Sequence, residues 1–290
     1  MITNKYNLPK AFEEFAKRDG YSANPKHYSA TTLLKGIKEI VLSKRHYGEV
    51  DQDVADMIWM LFGTAVHSIL ERQAVGENEI KEERLTKELG DYTLSGQFDL
   101  YNKETKTITD YKTASVWKII YGDYSDWRKQ LLIYAYLLRE EGYQVEKAEI
   151  VALLKDHSKR DAKLKAEYPK LPVEVVKFKF DDKDFEDIEK FIISKLAEIK
   201  KYENTPDDEI PECTPEERWN TGDKFAVMKN GRKTALRVLD SEADAKSYMA
   251  TNGGDYIEKR PGEDKKCSEY CNYCQYCNYY KKTYGGTNGI

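Results

Sequence analysis

The chain has 290 residues and a formal net charge of −4, with 47 Lys and Arg set against 51 Asp and Glu. With 40% hydrophobic and 34% charged residues it can build a sizeable core, as one large domain or two modest ones, and its composition is that of a soluble protein. Apolar runs such as Met57–Phe62 fall far short of the ~20 residues a spanning helix needs, residues 1–10 carry no apolar leader segment, and the mild acidity excludes a wholesale nucleic-acid coat while leaving room for a local basic groove.

In chain order, residues 51–72 predict a helix. Val54, Met57, Ile58, Leu61, Phe62, Ala65, Val66, Ile69 and Leu70 form a strong stripe of 3.6-residue period. Gly63, His67 and Glu71 share one helical face at four-residue spacing. A mid-helix glycine costs roughly 1 kcal/mol relative to Ala, which makes sense if another backbone must approach there. His67 can add an imidazole to a metal shell. Its ordinary alternative is a hydrogen-bonded boundary residue, and that of Glu71 is a solvated charge.

Residues 92–101 and 106–112 predict a hairpin joined by the polar turn Asn102-Lys103-Glu104-Thr105. Residues two apart on a strand share a face, so Asp110 and Lys112 point the same way, and pairing brings Asp99 beside Asp110. Two converging carboxylates repel unless a cation sits between them. Oxygen ligands with room for water favour Mg²⁺ or Mn²⁺, and an added imidazole favours Mn²⁺. A lysine on the same face can hold an attacking water while the metal stabilises charge on a phosphoryl oxygen. The plain alternative is a surface ladder of salt bridges.

Residues 127–139 predict a second helix with Trp127, Gln130, Leu131, Tyr134, Ala135 and Leu138 on one face. A buried Gln130 needs partners, such as the lysine or a phosphate. Strands Ala148–Leu154 and Val173–Phe180 follow. Asp181 or Asp182 then caps a helix that turns Phe185, Ile188, Ile192 and Ile199 inward. The order helix, hairpin, helix, strand, strand, helix implies an α/β sandwich around a mixed sheet, over residues 1–210. A break at Thr205–Asp208 and Pro211 opens a linker and small ββαβ-like unit, residues 211–266. Its pieces are Phe225–Met228, Ala235–Leu239, a helix opened by Asp240 or Ser241, and Tyr256–Glu258. Residues 267–290 form a Cys-rich, metal-binding tail expected to pack on the core.

GxxxH, GxxD, DxK and QxxxY occur in order at Gly63/His67, Gly96/Asp99, Asp110/Lys112 and Gln130/Tyr134. This set resembles the RecB-like branch of the PD-(D/E)xK nuclease superfamily, over residues 30–200. The resemblance implies a restriction-endonuclease-like core, a central mixed sheet flanked by helices. It implies His67, Asp99, Asp110 and the Tyr111 carbonyl as ligands of Mg²⁺ or Mn²⁺. Lys112 is then catalytic together with the two aspartates, with Gln130 and Tyr134 supporting them near DNA. Phe98 stands where the superfamily's name places Pro, a departure common in the RecB branch. The length, without a helicase region, resembles phage recombination nucleases and CRISPR-adaptation exonucleases. That implies a cytoplasmic DNA exonuclease of a bacterium or a phage-infected host, resecting ends for a single-strand annealing protein. A non-catalytic DNA-binding scaffold and a structure-specific endonuclease are the rival functions for this fold. Polarity and oligomeric state are not legible.

Cys267, Cys271, Cys274 and Cys277 crowd the tail, and Cys213 precedes the small unit. In a reducing cell so dense a set of thiols points to metal, either zinc or an iron–sulfur cluster. Several RecB-like nucleases carry a four-cysteine iron–sulfur staple whose last two ligands are separated by five residues, the spacing of Cys271 and Cys277. The resemblance thus implies a [4Fe–4S] cluster on Cys213, Cys267, Cys271 and Cys277, with Cys274 spare and Zn²⁺ as the alternative. Here the remote Cys213 follows the nuclease motifs, whereas in those relatives it precedes them. Finally, Lys155, Lys159 and Arg160, with Lys163 and Lys165, form a basic loop suited to DNA phosphates; the plain alternative is a solvated charged loop.

Overall fold

The computed structural model describes residues 2–17, 24–70 and 72–285. Glu71, placed above on the His67 face, lies outside the described residues. The chain divides into two compact units: Met1–Lys35 with Ser43–Asn204, and Gly36–Leu42 with Thr205–Ile290. Among the described residues no helix is long and apolar enough to cross a membrane.

The first unit is built on a five-stranded mixed sheet. Its order across the sheet is Val173–Lys179, Lys147–Leu154, Thr107–Ala114, Leu100–Asn102, Glu79–Lys81. Thr107–Ala114 runs parallel to Lys147–Leu154, and the other neighbours are antiparallel. A second sheet sets Tyr92–Gln97 between His27–Ser29 and Arg84–Leu89. The strand expected over 92–101 is therefore two strands. The chain leaves one sheet after Gln97, turns through Phe98 and Asp99, and enters the other at Leu100. In the sequence Tyr92, Leu94, Phe98 and Leu100 keep the apolar alternation going and hide the switch, whereas burial changes phase from Phe98 to Tyr101.

The helix Ser125–Glu140 buries every residue from Gln130 to Leu138. A helix apolar on all sides must be covered on all sides. It meets strands of both sheets and the helix Asp182–Tyr202. That second helix starts with a capping box: Asp184 N–H donates to Asp181 Oδ1 (2.9 Å), and Asp181 N–H donates back to Asp184 Oδ2 (3.1 Å). Phe185, Ile188, Ile192, Leu196 and Ile199 form its buried stripe, each worth about 1.5–3 kcal/mol in removed apolar surface.

The expected helix over 51–72 is divided differently. Asp53 accepts from Ala55 N–H and caps a 3₁₀ turn, Val54–Met57, before the α-helix Ile58–Leu70. Val54 and Met57 are buried, but no residue of Ile58–Leu70 is, so most of the apolar stripe does not reach the core.

The second unit holds a three-stranded antiparallel sheet with Lys224–Met228 between Arg237–Leu239 and Tyr256–Arg260. Ser241 caps the helix Glu242–Asn252 in the connection, as the sequence predicts. The tail follows as Lys265–Glu269, the turn Cys274–Tyr276, and Asn278–Tyr284.

Candidate active site

The switch at Phe98–Asp99 aims the first carboxylate. Leu100 pairs with Thr109, which puts Asp99 level with Asp110 across the strands. Asp99 is 7% exposed and Asp110 2%. Asp99 Oδ2 accepts from the Tyr111 N–H at 2.6 Å, and Asp99 Oδ1 lies 3.3 Å from His67 Nδ1. Where Tyr111 meets Asp99, then, it does so through its amide N–H. Lys112 shares the Asp110 face, its Nζ 2.8 Å from Asp110 Oδ2. At that distance the ammonium and the buried carboxylate form a charge-assisted contact.

The helix Ser125–Glu140 closes the other side. Gln130 Nε2 donates to Tyr134 Oη at 2.6 Å, and both side chains are buried. The partner found for Gln130 is thus Tyr134, not the lysine. Gly96 explains the fit: a Cβ there would stand 2.8 Å from both Tyr134 Cδ1 and Leu137 Cδ1. Only a glycine lets the helix lie this near the strand. Gly63 has no such role, because an added Cβ would meet only Thr113 Oγ1 at 3.7 Å, an ordinary contact. The close backbone approach expected there does not occur.

Sequence reasoning missed Glu82. Among the described residues, ligand atoms of His67, Glu82 and Asp99 lie within 4.8 Å of one another. Glu82 sits in the turn between Glu79–Lys81 and Arg84–Leu89 with φ +50°, a conformation a β-carbon disfavours. Its N–H donates to Asp99 O, and its Oε2 accepts from Gln97 Nε2 at 2.9 Å. Gln97 is steadied in turn by Arg84. Within the charged run Lys81-Glu82-Glu83-Arg84 nothing in the sequence singles Glu82 out.

The electrostatics follow from burial against charge. Burial pushes the Asp110 carboxyl above its usual range; the Lys112 ammonium pulls against this and Asp99 adds to it. For Lys112 burial works downward, but Asp110, Tyr134 and Asp99 outweigh it and hold the amine above its ordinary value. The hydrogen bond with Asp99 raises His67. Tyr134 is pushed up to about 12, by burial first and then by Asp110. His67, Glu82 and Asp99 thus make a donor set of the kind that holds a hard divalent cation, and Asp110 stands level with Asp99 beside it.

Of the basic residues, Lys155 lies just past the strand Lys147–Leu154. Lys159 and Arg160 open a short helix, Lys159–Leu164, capped by Ser158; all three are exposed. The expected loop is therefore part helix.

In the second unit all five cysteines line one cavity with Lys38, Arg218, Lys266 and Tyr280. Cys274, expected to be spare, faces the same space. Burial first, then neighbouring negative groups, pushes the Cys213 thiol up to about 11 and those of Cys267 and Cys271 up to about 12. Lys38, 1% exposed, donates to Ile210 O at 2.8 Å and Asn278 Oδ1 at 2.7 Å.

No curated protein matches the chain. Among solved structures, a protein named SSO0001 shares 17% identity (TM-score 0.43, covering 68% of this chain and 85% of that one). An alkaline exonuclease from Laribacter hongkongensis shares 13% (TM-score 0.38, 67% and 93%). A phage-related exonuclease from Haemophilus somnus 129PT shares 16% (TM-score 0.29, 65% and 78%). The model of the PD-(D/E)XK nuclease superfamily matches residues 71–215, half of the chain and the stretch that carries Asp99, Asp110, Lys112, Gln130 and Tyr134, and the chain belongs to that superfamily.

Proposed function

We propose that the protein is a Mg²⁺- or Mn²⁺-dependent DNA exonuclease that hydrolyses phosphodiester bonds at DNA ends. The observation that carries this reading is the gathering of His67, Glu82 and Asp99 within 4.8 Å, with Asp110 level with Asp99 and 2.8 Å from Lys112. His67, Glu82, Asp99 and Asp110 would hold the ion. A divalent cation bound there offsets the negative charge that builds on the phosphoryl oxygens as water attacks phosphorus. Lys112, kept protonated by its neighbours, donates: its ammonium orients the attacking water or a non-bridging oxygen, and it removes no proton. Gln130 steadies Tyr134, whose hydroxyl stays protonated at neutral pH and can itself donate. Lys155, Lys159 and Arg160 neutralise phosphates along the incoming strand.

The cysteine cavity is the seat of a [4Fe–4S] cluster in this reading, on Cys213, Cys267, Cys271 and Cys277, with Zn²⁺ as the alternative. Lys38, Arg218 and Lys266 line the cavity together with Glu39 and Glu217. The biological role that accords with this enzyme is end resection in the cytoplasm of a bacterium or phage-infected host, feeding a single-strand annealing protein.

The test uses purified protein, Mg²⁺ or Mn²⁺, and linear and closed circular duplexes. Nucleotides should be released from the linear DNA alone, and Asp110→Asn should release none. Cutting of the closed circle would make the enzyme an endonuclease. Metal-independent binding with no cleavage would make it a scaffold.

A further inference from the structure

The helix Ile58–Leu70 carries a surface that the carboxylate site does not use. It is strongly apolar, yet none of its residues is buried. Trp59 and Ile69 are each 63% exposed, and Met60 and Phe62 are also open. Trp59, Phe62 and Ile69 fall on one side of the helix and Met60 on the other, and exposed apolar surface such as the first group forms marks a place where something binds. The rings of Trp59 and Phe62 meet edge to face, centroids 6.4 Å apart, and Lys155 Nζ lies 3.9 Å from the Trp59 ring centroid.

A second open pair stands nearby. Lys155 N–H donates to Ala114 O, and Asp156 accepts from Ser115 Oγ and Val116 N–H. These bonds tie the start of the helix Val116–Tyr121 to the segment carrying Lys155. That helix displays Trp117 and Tyr121, stacked with centroids 5.9 Å apart and both exposed.

The surface runs into the carboxylate site. One turn after Trp59, Gly63 faces Thr113, which belongs to the same strand as Asp110 and Lys112 but points to its other face. One turn further, His67 meets Asp99. Trp59 and His67 are thus about 12 Å apart along one helix, at 1.5 Å per residue.

We propose that Trp59, Phe62, Trp117 and Tyr121 with Lys155 form a base-stacking platform for an unpaired strand whose scissile phosphate lies at Asp99, Asp110 and Lys112. The preferred substrate is then a DNA end with single-stranded nucleotides. The proposal rests on the nuclease reading and narrows it. Every base offers a π-face to an aromatic ring whatever its sequence, and an unpaired base has that face free. The cation seated on the Trp59 ring, the basic residues that follow it, and the run of this face into the carboxylates all favour a nucleic acid over a protein partner.

The experiment measures binding in chelator, where no strand is cut, to a labelled oligothymidylate and to a blunt duplex of the same length. Trp59→Ala and Trp117→Ala should each weaken oligothymidylate binding about tenfold, with Trp59→Phe restoring most of it and the blunt duplex much less affected. Both residues are exposed, so thermal melts should match the wild type. Unchanged oligothymidylate affinity in both Ala variants overturns the proposal, as does a wild type that does not bind the oligothymidylate. Intact DNA affinity with loss of a concentration-dependent oligomer in Trp59→Ala also overturns it, and assigns the face to contacts between copies of this chain. If metal-dependent cleavage survives any of these, the platform alone is lost. If stacking holds but no metal supports cleavage, the nuclease reading alone is lost.

Discussion

The carboxylate site and the cysteine cavity hold their reactive groups in opposite ways. Asp110 and Lys112 sit in the middle strand of the mixed sheet, paired residue by residue with Ile150 and Ala152. Backbone hydrogen bonds fix their positions whether or not an ion is present. In the tail Cys267 lies on a five-residue helix, Cys274 on a 3₁₀ turn and Cys277 caps a seven-residue helix, none of which buries a residue, and Cys271 lies in the connection between the first two. Helices so short are not stable on their own. Side chains tie them down: Lys38 to Asn278, Lys266 to Glu39, Tyr279 to Asp264. A pre-built charged site costs stability to maintain, whereas a site assembled by its ligand gains stability on loading.

Breaking each site should therefore give opposite results. The largest effect is expected for Asp110→Asn: cleavage should fall by at least the ~10²–10³-fold seen when one preorganised charge-stabilising group is removed. Its fold should survive: burial of the Asp110 carboxylate weighs against folding and its attraction to Lys112 weighs for it, so the melting temperature should move little. Cys271→Ser, or chelation of the metal proposed for the cavity, should do the reverse and lower the thermal melt. A Cys271→Ser protein as stable as the wild type would erase the contrast.

Gly96→Ala probes the boundary of the pre-built site. The added methyl must displace Tyr134 and Leu137 at 2.8 Å, a strain of about 1–3 kcal/mol, and cleavage should fall with the shift of Tyr134. The smallest effect concerns His67. Its proton is held by Asp99 above the ordinary histidine range, and a ligand must shed that proton. Below its pKa, Mn²⁺ affinity should drop about tenfold per pH unit for the one proton displaced, and His67→Ala should flatten that slope. A slope identical in both proteins would remove His67 from the ligand set.

The same contrast governs what the sequence discloses. Local signals survive translation into structure: the Asp181 and Ser241 caps, the Phe185 to Ile199 stripe, and the strand alternation that sets Lys112 beside Asp110. Signals that depend on distant chain do not. Phe98 keeps the apolar rhythm through a change of sheet, so the break that aims Asp99 is silent. The Ile58–Leu70 stripe has the period of a core helix, but whether anything covers it is decided elsewhere in the fold. Glu82 joins His67 and Asp99 through a left-handed turn that no residue type announces. Cys274 looks superfluous in a spacing argument, yet it faces the same cavity as the other four cysteines.

The most direct measurement is an anomalous-scattering map of crystals soaked in Mn²⁺. It should show an ion bonded to Asp99 and Asp110, with His67 or Glu82 completing the shell and Lys112 beside it. A map in which saturating Mn²⁺ leaves those aspartates bare, or places the ion away from Lys112, would contradict the account.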